Sequence, residues 1–272
     1  MTMDVTFFYG ALFLYVVGTL AYLLLLSVKG GLLARLATAA TVGGFMLHTV
    51  ALLLRLVAAG RPPLSNTYEA LSFFAWVTVL VYLGLEFWFQ RKVMGAFVLP
   101  IVLLATAAAA SLPKGPGLPS ALAGTGIWLH VTFVLLGNAA LALTCGVGLM
   151  YLLQERQLKS KSLGPMYHRL PSLEFLDGLG HRALLVGFPL LTVGLVTGAL
   201  QAQAAWGRVL TWDPTQVLSL LAWVMYAGLL QARLTGGWRG RKAALLAVVS
   251  FCALLVTFVG VSVLVGRPHL GN

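Results

Sequence analysis

Apolar runs of about 20 residues recur along the whole chain, and that is the length a helix needs to cross the hydrocarbon core of a bilayer. Eight spans can be drawn, at residues 6–27, 36–58, 68–89, 93–111, 126–153, 183–204, 215–233 and 243–265. Of the 272 residues, 60% are hydrophobic and only 9% charged. Soluble domains carry roughly 25% charged residues, so no soluble core of this size hides so much apolar side chain. Inside lipid every backbone polar group must be paired within its own segment, which a helix does. The sequence therefore predicts an all-α, polytopic membrane protein, a single integral-membrane domain over residues 1–272 with eight transmembrane helices.

The net charge of +11 would suggest nucleic acid as the partner of a soluble protein. Beside membrane spans, cationic loops instead set topology and touch anionic lipid, so the lipid bilayer and no nucleic acid is expected as partner. Thirteen Lys and Arg fall in one alternate set of loops, most densely between Arg156 and Arg182 and between Arg233 and Lys242. The other set holds four: Arg61, Lys114, Arg208 and Arg267. By the positive-inside rule both termini are outside. The first run lacks a basic leader and a small-residue cleavage site, and reads as a retained span. Cys145 and Cys252 lie far apart in apolar runs with no C-x-x-C, so both read as small hydrophobes.

Ionisable residues within spans are functional suspects, because burying them in lipid costs a few kcal/mol. His48 and Arg55 stand seven residues apart on one face of the second span. The bland alternative is a hydrogen-bonded packing histidine and an arginine that snorkels outward. The outer segment R-P-P-L-S-N-T-Y-E follows, with Asn66 and Glu69 spaced as a capping box. Ser111–Gly126, rich in Gly, Pro and Ala, reads as an irregular outer cover. The fifth span opens I-W-L-H, which puts His130 within about a turn of the outer surface. Gly137, Thr144 and Gly148 below it, and Gly187, Gly194 and Gly198 on the sixth span, form small-residue stripes suited to close helix packing. The inner segment Gln154–Arg182 reads as a long basic connection with a short interfacial helix near Leu173–Leu179. His168 and His181 fall there as solvated loop residues.

Between the sixth and seventh spans stands W-G-R-V-L-T-W-D-P, Trp206 to Pro214. Asp213 suits an N-cap, Pro214 the first helical position, and Gln216 completes a capping box. By the charge count this aromatic loop (residues 204–216) is on the outer face, as are His130 (segment 126–131) and His269 (segment 266–272). Neutral imidazoles from two helix ends can ligate one haem iron axially, and indoles offer a flat apolar surface to a porphyrin. Odd-numbered helices would point their N-termini outward, which suits anionic propionates, and Arg55, Arg61 and Arg208 add full charges. A zinc site is disfavoured because no third ligand stands at a recognisable spacing.

From about Ile127 to His269 the chain resembles the CcsA/ResC group of cytochrome c biogenesis proteins, whose tryptophan-rich outer loop is called the WWD domain. The resemblance rests on I-W-L-H-V around His130, L-D-x-L near Asp177 and G-F-P-L-L-T-V-G-L-V-T-G from Gly187. It continues through W-G-R-V-L-T-W-D-P, G-W-R-G-R-K-A-A from Gly237 and G-V-S-V-L-V-G-R-P-H, with P-L-S-N-T-Y-E in the N-terminal half. It implies a multi-pass protein of the bacterial cytoplasmic membrane that binds haem b non-covalently at an outer site and delivers it to apocytochrome c. The implied partners are a CcsB/ResB-like membrane protein and the C-x-x-C-H thiols of apocytochrome c, with this chain a possible subunit of a haem lyase. Carried over residue by residue, His130 and His269 match the axial ligands, and Trp206, Gly207, Trp212, Asp213 and Pro214 match the loop. Arg208, Arg55 and His48 complete the candidate cofactor-binding set.

The chain departs from the family pattern at several points. Leu210 replaces a tryptophan, Thr215-Gln216 a Lys-Glu pair, Gln231 an intramembrane histidine and Ser262 an asparagine. These changes spare the outer pocket and weaken the case for a transmembrane haem route. They also leave an alternative, a HemX-like protein regulating tetrapyrrole synthesis through partners without attaching haem. A small-molecule transporter would require paired broken helices, of which the sequence has little sign.

Overall fold

The computed structural model describes residues 2–114, 125–160, 167–210, 212 and 214–255. Eight α-helices follow one another: α1 (Met3–Leu24), α2 (Gly31–Ala59), α3 (Thr67–Phe89), α4 (Gly95–Ser111), α5 (Thr125–Lys159), α6 (Leu173–Trp206), α7 (Pro214–Leu234) and α8 (Arg241–Leu255). A short 3₁₀ turn, Lys92–Met94, leads into α4. Among the described residues there is no strand, and seven helices are long and apolar enough to cross a membrane. α8 is described as far as Leu255, so the rest of the expected eighth span lies outside the described residues.

Polar ties show that the helices alternate in direction. At the proximal end, where α1 starts, Arg55 near the end of α2 reaches Asp4 at 3.3 Å and Glu69 of α3 at 2.8 Å. Arg61 adds a contact to Glu69 at 3.1 Å, and the Ser65 N–H donates to the same carboxylate at 2.8 Å. The expected cap is present, since the Asn66 side chain accepts the Glu69 N–H at 2.8 Å. Glu69 therefore does more than cap: it neutralises two arginines, and Arg55 is locked in an ion pair.

At the distal end, the buried Glu86 of α3 accepts from the Tyr22 and Tyr82 hydroxyls at 2.5 Å each and from Thr38 at 2.6 Å. Lys92 stands 3.9 Å away and also reaches Thr38 and the Ala34 carbonyl. Asp177 of α6 takes Arg233 of α7 at 2.9 Å and the Gly240 N–H before α8 at 3.0 Å. Arg169, in the connection after α5, donates to the Leu25 carbonyl at the end of α1.

α5 and α6 pack together most extensively, with α1 against α2 next, while α3 and α5 join the two halves. The α5/α6 contact is backbone on backbone. A Cβ on Gly137 would meet the Leu191 nitrogen at 2.7 Å and the Gly187 carbonyl at 3.1 Å, so Gly137 and the α6 glycines bring these helices together, whereas Gly148 of the same stripe faces Ala244 of α8.

The connection between the fifth and sixth spans is mostly helix, contrary to expectation. α5 runs on to Lys159, and its 35 residues make a rod of about 52 Å, well beyond a hydrocarbon core of about 30 Å. The projecting turns are polar, and a Glu155–Lys159 pair at 2.7 Å supports them. Leu173–Leu179 is not a separate interfacial helix. Ser172 caps it by accepting the Phe175 N–H, nothing between Leu179 and the span breaks the ladder, and α6 is one helix of 34 residues. His181 consequently lies on α6, where its Nδ1 accepts from the Arg233 Nε at 3.4 Å.

Glu86→Ala removes the acceptor shared by two buried tyrosine hydroxyls and the half-buried Thr38 hydroxyl and should cost about 3–5 kcal/mol. Lys159→Ala breaks only a solvated i,i+4 pair and should cost about 0.3–0.5 kcal/mol. Thermal unfolding in detergent checks both, with a large drop in Tm expected for the first and almost none for the second.

Candidate functional site

α7 touches α6 only sparsely and leans on α8, so the two helices part at the proximal end. The gap is a cleft of about 670 Å³ walled by α5, α6, α7 and the loop between the last two. That volume is in the range of sites for large organic ligands, roughly 300–1,000 Å³. Ile127 and His130 line it from α5, and Leu195, Val196, Gly198, Ala199 and Ala202 from α6. Trp206, Val209 and Leu210 close it from the loop, and Gln216, Leu220 and Trp223 from α7. Most of this lining is apolar, with Gln201, Gln216, Ser219, Thr192 and one imidazole as the polar groups.

His130 is the chemically distinctive group. Its Nδ1 lies 2.7 Å from the Gly194 carbonyl oxygen. A carbonyl can only accept, so Nδ1 carries the hydrogen and the neutral ring keeps its lone pair on Nε2. Among the described residues nothing engages Nε2. The ring is half-buried, which suits a ligand held at the edge of an apolar space.

The loop forms as its residues dictate. α6 ends at Trp206, and Gly207 takes the left-handed cap at φ 68° with its N–H bonded to the Gln203 carbonyl. Trp206 stays 60% exposed while lining the cleft, so its indole has surface free for a ligand. Trp212, at φ 56°, is 75% exposed and does not line the cleft; Arg208, two residues beyond Trp206, is also exposed. Leu210, where the resemblance led one to expect tryptophan, remains an apolar wall of the same cleft. α7 starts at Pro214 as expected. Asp213, the Pro214 side chain and His269 lie outside the described residues.

The structure thus gathers His130, Trp206 and the loop cap at one cleft and leaves two other candidates elsewhere. His48 is fully buried among α1, α2 and α3, with Nδ1 3.3 Å from the Tyr15 hydroxyl and Nε2 2.8 Å from the Ser72 hydroxyl. Phe8 meets its ring edge-on at 5.6 Å. Both nitrogens are engaged by protein, the arrangement of a packing histidine. Arg55 belongs to the Asp4–Glu69 cluster, with its guanidinium 5.0 Å over the Tyr68 ring. Neither residue lines the cleft.

Sequence reasoning missed Trp223, whose Nε1 donates to Thr192 Oγ1 at 2.9 Å and whose ring stacks on Phe188 at 5.5 Å. The signal was present: Gln216, Ser219, Leu220 and Trp223 share one helical face of α7, and all four line the cleft. Arg233, counted only as a topology-setting charge, is bound to Asp177.

Four similarities bear on this arrangement. The cytochrome C assembly protein family matches residues 64–269. The cytochrome c biogenesis protein CcsA of Prochlorococcus marinus (strain MIT 9301) is 35% identical over 243 residues, 80% of this chain and 79% of that protein. The protein described by the same words in Pyropia yezoensis is 31% identical over 301 aligned positions, 96% of this chain and 93% of its own length. The solved structure of the cytochrome c heme lyase CcmF superposes on 98% of this chain with a TM-score of 0.68. At 16% identity, and with only 49% of CcmF covered, that likeness speaks for the fold alone. The family match over most of the chain and these CcsA relatives establish that the chain belongs to the CcsA-type family of cytochrome c assembly proteins.

Proposed function

We propose that this protein handles haem in cytochrome c biogenesis, holding it at the proximal cleft for attachment to apocytochrome c. The observation that carries the reading is His130: an imidazole whose Nδ1 is held by a carbonyl and whose Nε2 meets no partner among the described residues, lining an apolar cleft beside an exposed tryptophan. A porphyrin needs flat apolar walls, a nitrogen donor to iron and positive charge near its carboxylates. The α6 and loop side chains, His130, and Arg208 with the N-terminus of α7 meet those needs. His269 would be the second residue to hold the iron, and Trp212, Asp213 and Pro214 with Gly207 would form the remainder of the loop. Haem b, bound without a covalent link, supplies the vinyl groups to which the two thiols of a C-x-x-C-H motif add.

The protein's own part is binding and orientation. With haem bound, Trp206 and Leu210 would exclude water from one side, His130 would hold the iron, and Arg208 would offer positive charge to the propionates. The proposal includes eight spans with both termini outside the bacterial cytoplasmic membrane, so that the cleft opens on the face where apocytochrome c arrives. The loop charge asymmetry and the alternation of the helices support this orientation. A CcsB/ResB-like membrane protein is the proposed partner. Arg55 and His48 are assigned to the support of the α1–α3 unit. The CcsA relatives favour this reading over a HemX-like regulator.

Protein purified from membranes and supplied with haem should give a bis-imidazole absorption spectrum. His130→Ala should lose it, with haem affinity lower on the order of tenfold or more, while His48→Ala should keep the spectrum and lose thermal stability. A colourless wild-type protein after haem supplementation would contradict the reading. Trp206→Ala should weaken haem binding about fivefold, the loss of about 1 kcal/mol of ring stacking, as measured by haem titration.

A further inference from the structure

His130 is only as useful a ligand as its orientation allows, and its orientation is set by α6. We propose that Gly194 and Gly198 form a backbone notch that fixes the His130 tautomer and aims Nε2 into the cleft. This rests on the haem reading above and assigns the two glycines as positioning residues for that site.

Three observations converge. First, a Cβ on Gly198 would stand 2.5 Å from His130 Cε1 and 2.7 Å from Nδ1, but 3.3 Å from Nε2. The Nδ1–Cε1 edge therefore lies flat on bare backbone, and Nε2 is the nitrogen turned furthest from it. Even alanine would overlap the ring. Second, the Gly194 carbonyl takes the Nδ1 hydrogen at 2.7 Å, which leaves Nε2 as the only lone pair of the neutral ring. Thr197 Oγ1 donates to that carbonyl as well, at 2.9 Å. Metal-ligating histidines are commonly held in this way, by a carbonyl on the nitrogen that does not meet the metal. Third, Gly194 permits the approach itself, because a Cβ there would meet the Val134 side chain at 2.6 Å and its nitrogen at 2.9 Å. Val134 follows His130 by one helical turn, so the same close contact seats the turn that carries the imidazole.

His48 provides the contrast. It is more deeply buried, yet side chains occupy both its nitrogens, and no lone pair is left for a metal. Gly187 provides an internal control. It sits in the same α5/α6 interface but faces Leu141, Ala140 and the Gly137 carbonyl at 3.0–3.1 Å, away from His130.

The test compares full-length wild type, Gly198→Ala, Gly187→Ala and His130→Gly, purified in detergent and titrated with haem. Ligation is read by absorption and electron paramagnetic resonance, and folding by Tm. Gly198→Ala should melt like Gly187→Ala, bind haem about 10–100-fold more weakly and lose the low-spin signature. Free imidazole should restore that signature, as it should for His130→Gly. Gly187→Ala should ligate haem as wild type does. Wild-type ligation and affinity in Gly198→Ala overturn the notch and leave the haem reading intact. An unchanged spectrum in His130→Gly overturns both. Should Gly198→Ala fail to fold, nitrogen-15 histidine NMR of haem-free wild type decides, with the His130 signal assigned by its loss in His130→Gly. The Nδ1–H tautomer is expected, and an Nε2–H tautomer overturns the proposal.

Discussion

The proximal cleft depends on two long helices meeting backbone to backbone. α5 and α6 approach so closely that a methyl group on Gly137, Gly194 or Gly198 would overlap its neighbour across the interface. In a bilayer no hydrophobic force drives helices together, so association rests on dispersion and polar contact, both of which need close approach. That approach sets the separation of α6 from α5 and turns the His130 edge onto α6. It also leaves α7 as the helix that stands off. The cleft is the space between a tightly docked pair and a loosely docked third helix.

The charged groups within the helices tell a complementary story. Each of Glu69, Glu86 and Asp177 has a cation beside it and further donors on its oxygens. Lipid penalises an unpaired charge heavily, so a carboxylate at these depths persists only where several helices converge to satisfy it. Glu69 ties α2 to α3, Glu86 gathers α1, α2 and α3, and Asp177 joins α6, α7 and the turn before α8. These clamps sit at the two ends of the bundle, and the candidate ligand-binding group stands apart from all of them. His130 is oriented by the scaffold through Nδ1, and among the described residues its Nε2 has no partner.

Legibility in the sequence followed the range of the interaction involved. The apolar runs, the Asn66 cap, the α5/α6 glycine stripes and the position of His130 near a helix end are local patterns, and all could be read directly. The contacts that join Arg55 to Glu69, Glu86 to Tyr22 and Arg233 to Asp177 link residues 14, 64 and 56 apart in sequence, so single-chain periodicity carries no trace of them. The same holds for His48. Its place in a span made it a functional candidate, and only the fold reveals that Tyr15 and Ser72 occupy both ring nitrogens. The length of α6 was misjudged for a different reason: a basic stretch looks like a loop, whereas Ser172 starts a helix there and nothing stops it before Gly207. Trp223 was overlooked because a tryptophan in a span reads as an anchor until its face of α7 is seen to border a cavity.

The central claim is that haem sits in the cleft between α5, α6 and α7. Tryptophan fluorescence tests it most directly, because Trp206 borders that cleft while Trp88 lies at the distal end of α3. Two variants, each retaining only one of these tryptophans, would be titrated with haem in detergent. The account predicts near-complete quenching of Trp206 at one equivalent and clearly weaker quenching of Trp88. Equal quenching of the two, or stronger quenching of Trp88, would contradict it.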